Sequence, residues 1–140
     1  MQILPLRLLP GQDLRAALEA VLAEHGAEAG FVLQGIGSLT VARIRFAGAS
    51  QPAELHGDRE ILTLAGSISP DGAHLHIALA DAQGQVVGGH VAPGCIMRTM
   101  AELLLALLPE HRFGREPNTA SGFDELVIRS MRPRRRHDQD

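Results

Sequence analysis

One stretch constrains this chain more than any other: residues 72–93, GAHLHIALADAQGQVVGGHVAP. It alternates in two runs, 74–81 and 85–91, joined at Asp81, Ala82, Gln83 and Gly84. A period of two marks a half-buried strand, and so short a connection makes the two strands antiparallel. Residues two apart on a strand share a face, so His74 and His76 point the same way. His90, on the neighbouring strand, can complete a cluster. Gly88 and Gly89 beside it leave the backbone open to close approach by a ligand or another chain.

The chain on either side repeats this pattern. Residues 2–8 alternate weakly and read as a short strand. Pro10 and Gly11 form a turn, and Asp13 is placed to cap a helix. Leu14, Leu18, Val21 and Leu22 then make one apolar helix face, ended by Gly26. Residues 31–33 suit a buried strand, 35–38 a bend or tight turn, and 39–46 an alternating strand. Residues 48–56 read as a loop or ragged edge. Residues 59–67 are apolar on both faces, which suits a central strand covered on both sides. Pro70, Asp71 and Gly72 make a turn.

The segment 95–108 is ambiguous. Its leucines at 103, 104, 105, 107 and 108 favour helix by propensity, and Thr99 with Glu102 resembles a capping box, yet its first part suits a strand equally. Residues 110–122 read as polar and irregular, and 123–129 as a last strand. The expectation is a single domain of about seven strands with one or two helices. Short connections make the sheet mostly antiparallel.

Composition narrows the function classes. All 13 basic residues are arginine, so Schiff-base and P-loop chemistry are excluded. Residues 1–131 hold 9 arginines against 14 acidic residues; residues 132–140 hold 4 against 2. An acidic body does not suit duplex DNA on its own, whereas the tail offers Arg132, Arg134, Arg135 and Arg136 as candidate nucleic-acid contacts on a disordered terminus. Tryptophan and tyrosine are absent, leaving four phenylalanines for base stacking. No apolar run can span a bilayer and no signal-peptide layout is present. The single cysteine, Cys95, excludes an internal disulfide, so the expected compartment is the cytoplasm.

Several segments together resemble the plants-and-prokaryotes-conserved (PPC) domain. They are LPGQDL at 9–14, GIGSL at 35–39, EILTLAG at 60–66, HLH at 74–76 with Asp81 and Gly84, GGH at 88–90, RTMAE at 98–102 and TASGF at 119–123. The resemblance covers roughly residues 3 to 130, which sets the domain at 1–131 and the basic tail at 132–140. It implies an α/β (α+β) fold, a curved, mostly antiparallel sheet packed with a helix, and a homotrimer. It also favours a strand for 96–102, with helix still open from Leu103 onward. Family members are commonly labelled DNA-binding or regulatory, and some prokaryotic ones carry a metal at the matching histidines. The family's partner-binding motif resembles residues 57–62, which makes Gly57, Arg59 and Glu60 candidate interface positions beside Gly88 and Gly89.

Three imidazoles converging from adjacent strands suit Zn²⁺ or another divalent metal, with Glu102 and Glu60 as candidate outer-shell groups or a fourth ligand. The competing reading has the same histidines hydrogen-bonded in a trimer interface. A three-histidine metal with an open position could also serve a metal-dependent hydrolase, Glu102 or Glu60 acting as base. No nucleophile elbow or telling carboxylate pair accompanies it, so binding of DNA, a protein partner or a small ligand ranks above catalysis. Arg112 and Arg115, near Thr119 and Ser121, are candidates for a small anion pocket.

Overall fold

Asp13 organises the first turn of the structure. Its Oδ1 accepts from the backbone N–H of Ala16 (3.0 Å), capping helix α1 (Leu14–Glu24), while its Oδ2 accepts from the N–H of Gly94 (2.6 Å). One carboxylate thus starts the helix and ties it to a loop 81 residues later. Leu14, Leu18 and Leu22 bury the apolar stripe that their spacing predicts. The computed structural model describes residues 1–131. The expected tail, with Arg132, Arg134, Arg135 and Arg136, lies outside the described residues.

Nine strands accompany this single helix among the described residues: β1 (Gln2–Leu8), β2 (Gly30–Arg45), β3 (Ala53–Ser69), β4 (Gly72–Ala80), β5 (Val86–Val91), β6 (Ile96–Met97), β7 (Ala101–Leu107), β8 (His111–Pro117) and β9 (Asp124–Ser130). Seven form one antiparallel sheet in the order β1-β7-β2-β3-β4-β5, with β6 against β2; β8 and β9 form a separate hairpin. The predicted α+β class and the antiparallel sheet are both present.

Two long strands curve the sheet. Residues expected as strand, bend and strand again form the continuous β2, whose register shifts between Val32 and Gln34 and between Leu39 and Val41. Such bulges bend a strand without ending it. Bent this way, β2 pairs along its length with β3 and near its end with β5, where Ile44 opposes Val91 and Arg45 opposes His90. Strands β2, β3, β4 and β5 therefore close on themselves around Ile44, Leu75, Leu79 and Val91, all buried. Gly88 and Gly89 permit the closure. A Cβ on Gly88 would stand 2.6 Å from the Ile77 carbonyl oxygen, and one on Gly89 2.6 Å from that of Arg45. The close approach expected there is made by the chain's own backbone.

Three expectations need correction. The leucine-rich segment is strand β7, not helix: it is paired on both sides, with β1 and β2, and buries Leu103, Leu105 and Leu107 by alternation. Ladder bonds and burial override helix propensity. Thr99 caps nothing; its hydroxyl meets that of Ser38 at 2.6 Å. Residues 111–117, expected to be irregular, are strand β8. The third correction concerns the centre of β3. It is covered on one face only, because a bulge between Ile61 and Thr63 turns Leu62 outward, 46% exposed.

Candidate metal centre

The histidine cluster follows directly from register. Directly opposed residues in an antiparallel pair share a face. His76 opposes Ala65 on β3 and His90 on β5, and His90 in turn opposes Arg45 on β2. His74, two residues before His76, opposes Ser67. All these side chains stand on the outer face of β4 and its neighbours, while Leu75, Ile77 and Leu79 alternate into the core.

The three rings meet closely. Ring centroids are 5.1 Å apart for His74 and His76, 5.1 Å for His74 and His90, and 4.5 Å for His76 and His90. One nitrogen from each ring lies within 4.8 Å of the others. Two nitrogens on a tetrahedral zinc ion stand about 3.4 Å apart, so the rings must draw together by up to about 1.4 Å to hold one ion. The donor set fits a divalent metal: three imidazoles and no thiol, as suits zinc and other borderline ions. Partial desolvation, then the nearby Arg115, lowers the pKa of His74; desolvation, then Arg45, lowers that of His90. Both effects favour the neutral imidazole, which is the form that ligates.

The β8–β9 hairpin lies across the same outer face. Phe113 of β8 packs edge-on against Phe31 of β2, with ring centroids 5.6 Å apart. Phe31 opposes Ser67, which opposes His74. Two residues along β8, the Arg115 guanidinium donates to Ser67 Oγ (2.8 Å) and its backbone N–H to Asp71 Oδ2 (2.9 Å). The hairpin thereby brings Arg115 beside His74. A cavity of about 630 Å³ opens between the hairpin, residues 71–75 and the end of β2, with His74, His90, Arg45 and Arg115 in its wall.

Other expected residues stand elsewhere. Glu60 opposes Ser38 and Ala80, at the far end of the β3–β4 ladder. Glu102 opposes Arg7 and Ile36, with β2 and β3 between it and β4. Register keeps both out of the histidine group; the carboxylate whose charge reaches His74 is Glu125 of β9. Arg59 donates to the carbonyls of His56 and Gly57 in an outward turn of β3. Arg112 faces Glu28 at 3.6 Å, so the expected pair of Arg112 and Arg115 is split. Cys95 is a core residue: its Sγ both accepts from the N–H of Arg43 and donates to its carbonyl at 3.3 Å, and burial pushes its pKa up. Arg45 and Glu125 join the site through long-range pairing, which no local sequence signal announces.

Known proteins resemble this chain in sequence and in fold. The chain is 49% identical over 131 residues to the bifunctional protein GlmU of Synechococcus, matching 94% of this chain but spanning only 21% of that protein. A hypothetical protein from Salmonella enterica has the same fold, with a TM-score of 0.89 and 40% identity over 92% of this chain and 94% of its own. A metal-containing protein from Archaeoglobus fulgidus aligns with a TM-score of 0.75 and 26% identity, covering 91% of this chain and 94% of its own. The model of the Plants and Prokaryotes Conserved (PCC) domain matches residues 1–109, and the chain belongs to that family.

Proposed function

We propose that this chain is a metal-dependent binding protein that holds a divalent ion, zinc or a similar metal, on His74, His76 and His90. The observation that carries this reading is the convergence of three imidazole nitrogens within 4.8 Å on one sheet face. The metal content named for the Archaeoglobus protein of like fold supports it. A zinc ion on three imidazoles keeps a fourth position open to a ligand. Ligand binding is favoured over hydrolysis because Glu60 and Glu102, the carboxylates considered as general base, stand away from the histidines. The test is elemental analysis of purified protein beside the double variant His74→Ala/His76→Ala. Stoichiometric metal in the parent is expected, and its loss from a variant whose thermal stability matches that of the metal-free parent. A metal-free parent that takes up no added zinc would overturn the reading.

The working form in this proposal is a homotrimer. Supporting it is an apolar band on the outer face, farther along β3 from the histidine group. Ile36 and Leu104 are 48% and 39% exposed, next to the outward Leu62, on strands β2, β7 and β3. Large exposed apolar side chains on neighbouring strands are a common mark of a protein interface. Light scattering of the parent and of Leu62→Glu tests this: a trimer mass falling to a monomer mass is expected, and a monomeric parent would refute it.

A further inference from the structure

We infer that Arg45 and Arg115 form an oxyanion-binding pair, so that the ligand of the cavity is a small organic molecule with a carboxylate or phosphate head. This deepens the metal-site reading above and rests on it for the identity of the third contact.

The argument starts from how the two guanidinium groups are held. Arg45 donates to the Ala49 carbonyl at 3.3 Å, and Arg115 to the Ser67 hydroxyl at 2.8 Å. Both anchors are neutral oxygens, and neither arginine has a carboxylate within ion-pair distance among the described residues. By contrast, the third arginine of the cavity wall, Arg15, is bound to Glu19 at 2.8 Å. Arg45 and Arg115 are thus oriented by hydrogen bonds to neutral oxygens, with no carboxylate of the wall in ion-pair contact with either guanidinium. A planar guanidinium presents several further donors in a fork that matches carboxylate and phosphate oxygens.

Placement selects the ligand. Arg115 comes from the hairpin and stands near His74; Arg45 comes from β2 and opposes His90. The histidine group therefore lies between two cations, an arrangement that is unfavourable for a bound cation without an accompanying anion. The acidic residues of the wall are Asp71, Asp124 and Glu125. Asp71 already accepts from the Arg115 backbone, and Glu125 acts on His74. The cavity, at about 630 Å³, falls in the range of small-molecule sites and exceeds what a bare ion fills. Phe123, 70% exposed in the same wall, offers an aromatic surface for the carbon part of the ligand.

Titration calorimetry tests the pair, with inorganic phosphate and malonate as separate probes, on metal-free and on zinc-loaded protein. Saturable binding of at least one probe is expected in both forms, tighter with zinc. The single variants Arg45→Gln and Arg115→Gln should each weaken it by about tenfold or more, the loss of a charge-assisted hydrogen bond, with zinc taken up at least as tightly as by the parent. Preference for phosphate or malonate identifies the head group. If zinc is not taken up, the metal reading fails, and arginine-dependent anion binding by the metal-free protein still supports the pair. Absence of anion binding in both forms would overturn it, as would parent-like binding by the double variant Arg45→Gln/Arg115→Gln.

Discussion

Strands β4 and β7 belong to one sheet, alternate alike, and put their outward positions to opposite uses. In β4 the inward residues Leu75, Ile77 and Leu79 are buried, and the outward residues are His74 and His76. In β7 the inward residues Leu103, Leu105 and Leu107 are buried, and the outward ones are Glu102 and Leu104. The inner halves are interchangeable in kind. The outer halves are not: β4 presents nitrogen donors that converge with a neighbour strand, whereas β7 presents a leucine diagonal to Ile36 of β2. Alternation builds the fold, and what fills the second half of the alternation decides what each surface does.

The largest effect should come from the half that the two strands share. Leu105 is fully buried, so Leu105→Ala should cost about 2–5 kcal/mol in chemical denaturation, whereas Leu104→Ala should cost the fold of one chain under about 0.5 kcal/mol and act mainly by weakening the proposed trimer. Equal losses would mean that the outward face of β7 is packed within one chain. Next is the cap that fixes the sheet to its helix. Asp13→Ala removes acceptors from both Ala16 and Gly94 and should cost about 2 kcal/mol, more than a cap alone; a loss below about 0.5 kcal/mol would show the loop tie to be idle. Smaller still is the expected effect of His76→Ala on the metal-free fold: within about 0.5 kcal/mol of parent, because its position is exposed. A large loss would make the histidines structural and weaken the distinction from β7.

Legibility in the sequence followed the same division. The strict alternation and the Asp81 to Gly84 turn gave β4, β5 and the shared face of His74 and His76, because these depend on neighbours in sequence. Strand β7 was harder, since five leucines in six residues satisfy a helix as well as a strand, and only its partners on both sides decide the matter. The local appeal of Glu60 and Glu102 as site residues had the same weakness: their nearness to the histidines depends on sheet order, which places them elsewhere. Arg115 was legible as an anion-pocket residue, but paired with Arg112; the site that it shares with Arg45 depends on contacts distant in sequence. Arg45 reaches the site through the β2–β5 closure and Arg115 on a hairpin that read as irregular chain.

The smallest predicted effect is also the most specific to the β4–β5 face. His74 and His90 have pKa values lowered in the folded chain, by desolvation first and then by Arg115 and Arg45 respectively. Between the ordinary histidine value of about 6.5 and these lower values, the unfolded chain binds more protons than the folded one. The stability of metal-free protein should therefore fall as pH drops from 7.5 to 5.5, beginning near the ordinary value and continuing until the folded rings also protonate. Urea midpoints at the two pH values check this, with His74→Asn/His90→Asn as the control. The parent should lose more stability than the variant across the interval, because the variant has no imidazoles at those positions to charge. Bound zinc should deepen the dependence, since protons then compete with the metal for the same nitrogens. Parallel losses in parent and variant would show that carboxylates elsewhere carry the effect and that the β4–β5 face contributes none of it.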